Sequence, residues 1–205
     1  AYHSLVDYPM ELPDYKAESR RREWYAARLA LVQLLGPTYQ FIPGFKKTRP
    51  QLQGRVEMAI AHSSDYAVVA THPQFRVAVD IENLNRKVRT ETPRLAMNDA
   101  ELELIRQHGN GAFLQIWTAK ECVYKLLYDQ HPEETLSFRQ HLDVQPSDWF
   151  HSNKQGSMLV DIRAPWYQEQ ITCAWFTFDG HIVSLASLTY PVHTRRVAEM
   201  PTASQ

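Results

Sequence analysis

The spacing of hydrophobic and polar residues predicts a helix first, then strands, then helices, and then strands again. A helical stripe of apolar residues predicts a first helix over residues 19–35, with Ser19 as its N-cap and Gly36 at its end. Short runs rich in Val, Ile and Tyr predict an antiparallel meander of three strands, at residues 55–61, 66–71 and 75–81. The same criteria predict two more helices and three more strands, at residues 97–108, 111–128, 158–163, 170–178 and 181–188.

Two local signals mark where the later elements begin and turn. Asn98 and Glu101 have the spacing of a capping box and predict the start of the helix over 97–108. The pair Asp179-Gly180 predicts a two-residue hairpin between the last two strands. Because helices and strands are grouped rather than alternating, the predicted fold class is α+β. A division after Glu82 gives two halves of similar make-up, residues 1–82 and 83–205.

Composition narrows the class of protein. A chain of 205 residues corresponds to one large domain or two small ones. With 22 basic and 23 acidic residues its net charge is −1, which excludes a globally basic nucleic-acid binder. No apolar run is long enough for a membrane span, and the N-terminal segment lacks the apolar core of a signal peptide. We therefore expect a cytoplasmic protein that binds neither nucleic acid nor membrane.

The chain has few residues suited to sulfur chemistry. Its two cysteines, Cys122 and Cys173, indicate free thiols in a reducing compartment rather than a disulfide framework. Together with scattered histidines, they cannot build a four-ligand zinc site.

The first candidate for chemistry is the run VAVDIE, residues 77–82, in which a strand ends in two carboxylates. Asp80 and Glu82 are two positions apart, so on a strand they point to the same face. Two adjacent acids repel unless a cation or a basic residue neutralises them, and Mg²⁺ takes oxygen ligands of this kind. The alternative, and the more common arrangement, is a solvated strand end with two surface acids.

The second candidate is WTAKECVYK, residues 117–125, on the predicted helix over 111–128. Trp117, Glu121 and Lys125 are four residues apart and therefore lie along one stripe, beside a mostly apolar stripe that includes Lys120. The alternative is an amphipathic helix with an exposed Glu–Lys pair.

The remaining candidates are cations. His62 lies in AHSSDYAVVA, residues 61–70, at a loop edge where it could donate to an anion, although a lone loop histidine is usually without a role. A local excess of basic residues precedes it, at Arg20, Arg21, Arg22, Arg28, Lys46, Lys47 and Arg49. Carboxylates suited to Mg²⁺ together with several cations favour a polyphosphorylated ligand and metal-assisted phosphoryl transfer. No Gly-rich phosphate loop supports a Walker or Rossmann nucleotide site.

In their order along the chain, the motifs AHSSDYAVVA, VAVDIE and WTAKECVYKLL resemble those of the 4′-phosphopantetheinyl transferases, specifically the surfactin-synthetase-type branch. The likeness extends from about Ser19 to Tyr128 and is looser in the C-terminal strands. It implies a pseudo-twofold α+β fold of two similar halves, with antiparallel strands packed on long helices. It also implies an enzyme that attaches the phosphopantetheine arm of coenzyme A to a serine of a carrier protein and releases 3′,5′-ADP.

The resemblance also implies roles for individual residues. Asp80, Glu82 and Glu121 match the acidic site for Mg²⁺, with Mn²⁺ as the alternative, and Glu121 is the favoured general base. Lys125 matches the lysine that contacts the diphosphate and takes part in catalysis. The phosphate-binding positions of the family fall on the basic residues His62, Arg49 and Arg28.

Two departures from the family pattern stand out, Ala61 where the family has serine and Ala78 where it has glycine; neither removes a metal ligand or the lysine. The partner is expected to be an acyl or peptidyl carrier protein of fatty-acid or secondary-metabolite synthesis, and the protein a monomer. One alternative is a non-catalytic relative that binds coenzyme A or a carrier protein. Another is a metal-dependent phosphoesterase that hydrolyses coenzyme A.

Overall fold

The computed structural model describes residues 16–36, 41–42, 51–52, 56–89, 91–128, 134–146, 149 and 153–189. Its helices are α1 (Glu18–Leu35), α2 (Thr92–Ala96), α3 (Asp99–His108), α4 (Asn110–Leu127) and α5 (Phe138–His141). Its strands are β1 (Phe41–Ile42), β2 (Gln51–Leu52), β3 (Glu57–His62), β4 (Ala67–His72), β5 (Phe75–Asn83), β6 (Leu142–Pro146), β7 (Gln155–Ala164), β8 (Tyr167–Phe178) and β9 (His181–Thr189). The α+β fold class is confirmed.

The main structural unit is a five-stranded antiparallel sheet with α4 packed against it. The strand order is β5-β9-β8-β7-β6, and every neighbouring pair is antiparallel. Buried apolar residues of α4, among them Ile116, Val123 and Leu126, join those of β7 and β8 in one core cluster. Since α4 has apolar residues on most of its circumference, it is a core helix rather than a surface helix.

The prediction of a three-stranded meander was wrong in its last step. Strands β3 and β4 form the expected antiparallel hairpin, but β5 pairs with β9 in the five-stranded sheet. The hairpin instead packs through Ala59 and Ala61 on Val77, Val79 and Val183 of that sheet. Successive side chains of β5 point to opposite faces of the sheet, and those in its middle are buried on both faces. The strand therefore lies between the hairpin on one face and α4 on the other. The division after Glu82 stays a prediction, and β5 hydrogen-bonds across it.

Local signals were confirmed except at the first helix. Helix α1 begins at Glu18 with Ala17 as N-cap and no side-chain cap, so the assignment of Ser19 as N-cap was wrong. The acid at the first position is favourable there because the helix dipole is positive at that end. The capping box of Asn98 and Glu101 is formed. Among the described residues, no helix combines the length and apolar character that a membrane span requires.

The predicted hairpin and the predicted thiols are also confirmed. Asp179 and Gly180 both have positive φ, 43° and 71°, as a tight two-residue turn between antiparallel strands requires. Cys122 and Cys173 are free and buried. Burial raises the pKa of the Cys173 thiol to about 12, so that side chain is neutral and packs as an apolar group.

Candidate active site

The site is centred where α4 crosses the end of β5. Lys125 Nζ donates to Asp80 Oδ1 at 2.6 Å and to the carbonyl oxygen of Val79 at 3.2 Å. The Asp80 side chain is only 11% exposed and that of Lys125 is 32% exposed. Lys125 therefore pairs with a strand residue, and the alternative of an exposed Glu121–Lys125 pair on one helix is wrong.

Asp80 lies in a setting that opposes its charge. Burial raises the pKa of its carboxyl above the ordinary value, and the Glu82 charge adds to that effect, while Lys125 acts in the opposite direction. Its second oxygen, Oδ2, is buried and has no hydrogen-bond partner among the described residues. A buried carboxylate oxygen without a donor is costly, and a bound cation would satisfy it.

Glu121 shares the electrostatic field of Asp80. Burial, and then the negative charges of Asp80 and Glu82, raise the pKa of the Glu121 carboxyl from 4.5 to about 6, against Lys125 and Arg86. Arg86, four residues after Glu82, contacts its carboxylate through Nη1. The structure therefore brings the three predicted carboxylates into mutual electrostatic interaction, as their motifs on β5 and α4 led us to expect.

The donors fit a hard cation in kind, although no metal cluster is already assembled. In the described part of the chain, no group of three or more His, Cys, Asp or Glu side chains is arranged to hold a metal ion. Mg²⁺ needs only one or two carboxylates, since water and substrate phosphate occupy its other positions. The orphaned Oδ2 of Asp80 and the mutual repulsion of the acids both suit such an ion. The three-carboxylate ligand set stays a prediction.

An open cleft of about 790 Å³ adjoins this site. It is lined by the first turns of α1, the turn after β3, and the end of β5, with the residues Ser19, Arg20, Glu23, His62, Ser63, Ser64, Glu82, Asn83, Asn85 and Arg86. His62 and Glu82, predicted for phosphate and for metal, thus face one cleft. Asp80, Glu121 and Lys125 are not among the lining residues.

The cations of the cleft are already engaged by acids. The shared partner is Glu23, whose Oε2 lies 3.4 Å from His62 Nε2 and 3.0 Å from Arg20 Nη1. Sequence reasoning missed Glu23 and Arg86 as lining residues. The sequence offered one signal for each. Glu23 lies three residues after Arg20, and Arg86 lies four residues after Glu82, so each is at helical or near-neighbour spacing from a charged residue that had been singled out.

The structure does not place the other two predicted phosphate ligands, Arg28 and Arg49, among the residues that line the cleft. Arg28 is buried, its guanidinium lies over the Trp24 ring at 4.2 Å, and it is not among the described residues that line the cleft. That contact is a cation–π interaction within α1. Arg49 lies outside the described residues, as do Lys46 and Lys47.

Lys120 is the second feature that sequence reasoning did not identify. It was placed on the mostly apolar stripe of α4 with no role, and the structure buries it completely beside Glu101. The signal was present: a lysine at helical spacing among Phe113, Ile116 and Val123 must point inward, and an inward lysine needs a partner.

Comparison with known proteins matches the chain to a family. A family model described as the 4′-phosphopantetheinyl transferase superfamily matches residues 76–187, which is more than half of the chain. The matched region contains Asp80, Glu82, Glu121 and Lys125 but not His62 or Arg28. No match is found among curated proteins.

Proposed function

Since this chain belongs to the 4′-phosphopantetheinyl transferase superfamily, we propose that it moves the phosphopantetheine arm of coenzyme A onto a serine of an acyl or peptidyl carrier protein. The observation that carries the proposal is the pairing of Lys125 with Asp80 across α4 and β5, inside the matched region. Glu121 lies beside this pair on the same helix, and a cleft large enough for part of a nucleotide adjoins it.

The proposed metal ligands are Asp80, Glu82 and Glu121, with Mg²⁺ as the favoured ion and Mn²⁺ as the alternative. Mg²⁺, when bound, supplies charge neutralisation for the diphosphate and for the leaving group. The support in this structure is the buried Oδ2 of Asp80, which has no partner within the described ranges, and the shared repulsion of the three acids.

Glu121 is proposed as the general base. It takes the proton of the carrier serine, directly or through a water, as the serine oxygen bonds to phosphorus and the phosphorus–oxygen bond to 3′,5′-ADP breaks. A base is most effective when its pKa is near the working pH, and burial raises the pKa of Glu121 to about 6. Metal binding would lower the pKa of Glu121 and make its carboxylate a weaker base. The proposal therefore includes proton transfer through a water as well as direct transfer to the carboxylate.

Lys125 is proposed to stabilise the diphosphate. Its charge is secure because the pKa of its ammonium group is raised: burial acts against the charge, but Asp80 and its hydrogen bond outweigh that effect. Its side chain is about one-third exposed, so a phosphate can reach the Nζ while the carboxylate remains beside it. A fixed cation aimed at developing negative charge stabilises the transition state.

The adjoining cleft is proposed to hold the nucleotide portion of coenzyme A. Arg20, Arg86 and His62 are the basic residues that line it, and Arg20 and His62 would exchange Glu23 for a phosphate group. Arg49 and Arg28 keep the phosphate-binding roles implied by the resemblance as proposals. The burial of Arg28 over Trp24 gives that role little support.

One assay tests the proposal. The protein is mixed with coenzyme A, Mg²⁺ and an apo carrier protein, and the carrier is weighed by mass spectrometry. We expect a mass gain of one phosphopantetheine arm, abolished in Asp80→Ala and Glu121→Gln. Coenzyme A binding without any gain on several carriers would favour the non-catalytic relative. Hydrolysis of coenzyme A without a carrier would favour the phosphoesterase.

A further inference from the structure

We propose that Lys120 and Glu101 are positioning residues, whose buried ion pair sets the rotation of α4 and so keeps Glu121 and Lys125 facing Asp80. The inference rests on the proposed function, because it concerns the residues to which that function assigns the chemistry. It assigns a role to the lysine that directly precedes the proposed base.

The ammonium group of Lys120 is fully satisfied by three acceptors. Its Nζ donates to Glu101 Oε2 at 2.6 Å, to the Phe138 carbonyl at 2.8 Å, and to the Ala96 carbonyl at 3.1 Å. The three acceptors come from α3, from the first residue of α5, and from the last residue of α2. One side chain of α4 is therefore tied to three separate segments.

The carboxylate of Glu101 is equally engaged. Its Oε2 also accepts from the backbone N–H of Asn98, and its Oε1 accepts from the backbone N–H of Val144 in β6, each at 2.9 Å. The Lys120 and Glu101 side chains are 0% and 1% exposed. Through this pair, α4 is connected by hydrogen bonds to the start of α3 and to the edge strand of the sheet.

Stability alone is a poor reason to keep such a pair. Removing two charges from water costs several kcal/mol per ion, and well-packed apolar residues often do as well or better. Burial opposes the charge of both partners, since it raises the pKa of the Glu101 carboxyl and lowers that of the Lys120 ammonium group. Unlike apolar packing, a hydrogen-bonded pair also fixes the orientation of the groups that it joins.

Direction matters at this position because of the helix geometry. Lys120 and Glu121 are adjacent, so their side chains are separated by about 100° around the α4 axis. Lys120 holds α4 on the side of α3 and α5, while Lys125 holds it to Asp80 of β5. Two directional contacts on different sides determine the rotation of a helix. Contacts made by apolar side chains alone are non-directional.

The test uses three variants of the full chain. Lys120→Met removes the cation and leaves Glu101 buried without it. Lys120→Met/Glu101→Gln removes both charges and retains one acceptor oxygen, which can serve Asn98 or Val144 but not both. Ile162→Ala, in the same core cluster but on β7, is the control for lost stability. Each is assayed well below its unfolding temperature for carrier modification, with kcat and KM for coenzyme A measured separately, and for Mn²⁺ affinity by calorimetry.

We expect the double variant to fold, with a stability between those of Lys120→Met and the wild type, and to lose about 10- to 100-fold in kcat, since a misplacement of ~1 Å costs about that much. Its KM for coenzyme A should change less than threefold, and its Mn²⁺ Kd should rise about tenfold. The control should keep wild-type kcat and Mn²⁺ affinity.

A double variant with wild-type kcat and Mn²⁺ affinity would overturn the positioning role and leave the proposed function intact. A wild-type protein that binds Mn²⁺ but modifies no carrier would overturn the proposed function, while the Mn²⁺ comparison still decides the positioning role. A wild-type protein that neither modifies a carrier nor binds Mn²⁺ would overturn both.

Discussion

Helix α4 supplies the lysines of two lysine–carboxylate pairs, Lys120–Glu101 and Lys125–Asp80, five residues apart. The pairs have the same Nζ–oxygen distance but differ in exposure and hydrogen bonding. Both have an Nζ–carboxylate distance of 2.6 Å. Around Lys120–Glu101, both carboxylate oxygens and all three ammonium hydrogens have protein partners. Around Lys125–Asp80, one carboxylate oxygen is buried without a partner in the described residues, and the lysine is one-third exposed.

The difference separates a structural contact from a reactive one. A pair whose hydrogen-bonding capacity is used up has nothing left to offer a ligand, so its effect is on the positions of the elements that it joins. A pair with a spare buried oxygen and an accessible cation retains two groups that a metal ion and a phosphate can engage. The exposure of the lysine and the saturation of the hydrogen bonds together distinguish the two pairs.

The largest expected effect is on catalysis, at the Lys125–Asp80 pair. Asp80→Asn should lower carrier modification at least about 100-fold, because it removes a proposed metal ligand and the partner of Lys125. The free energy of unfolding, measured in urea without added metal at pH 7.5, should change by less than about 1.5 kcal/mol, because burial already disfavours the Asp80 charge. A loss of several kcal/mol with full activity would reverse the roles of the two pairs.

Changes at the Lys120–Glu101 pair should affect the free energy of unfolding more strongly than changes at the Lys125–Asp80 pair. Lys120→Met should cost about 3–5 kcal/mol of unfolding free energy, because it strands a buried carboxylate. Adding Glu101→Gln should recover part of that loss, because no buried charge then remains uncompensated. Urea unfolding of the single and double variants measures both steps. If the double variant is no more stable than the single one, the cost is not that of a stranded charge.

A pH series tests the electrostatics of Glu121, which lies beside the Lys125–Asp80 pair. The folded-state pKa of Glu121 is raised from 4.5 to about 6, so between these values the folded protein holds more protons than the unfolded chain. The unfolding free energy of the metal-free protein should therefore fall as pH rises from 4.5 to 6, by at most about 2 kcal/mol from this group. Glu121→Gln should remove that part of the slope. Parallel curves for the two proteins would contradict the shift.

The smallest effect is expected at an ion pair on the surface. Arg163 Nη2 lies 2.8 Å from Asp143 Oδ2, almost as close as the two α4 pairs, but its side chain is 63% exposed. Arg163→Ala should change the unfolding free energy by less than about 1 kcal/mol, because water screens the attraction and competes for both groups. A loss comparable to that of Lys120→Met would show that distance, rather than burial and saturation, governs these pairs.

Much of the fold and the composition of the site could be predicted from local patterns. Periodicity identified α1, α3 and α4 and six of the strands, and the capping box and the Asp-Gly turn were identified by residue type. The short strands β1, β2 and β6 were missed because two to five residues carry too little periodicity to register. The third meander strand was paired wrongly because neighbours in sequence are only usually neighbours in a sheet.

The residues of the site were predictable, but their pairing was not. Spacing of four along a helix placed Lys125 next to Glu121, and nothing local indicated a partner 45 positions earlier in the chain. Likewise, the 4-residue spacing of α4 showed an inward Lys120 without indicating Glu101 on another helix. Tertiary packing chose both partners, because a lysine drawn into a low-dielectric interior must be met by whichever carboxylate the fold brings there.

By itself, then, the sequence determined the three long helices, most of the strands and the kinds of groups available: carboxylates at the end of β5, and a glutamate and two lysines on α4. Only the tertiary structure decided which lysine meets which carboxylate, and which of the two pairs is left with an unsatisfied oxygen. The physical reason is range. Secondary structure and residue chemistry follow from contacts within a few positions, whereas hydrogen-bond saturation depends on every segment that packs around the buried atom.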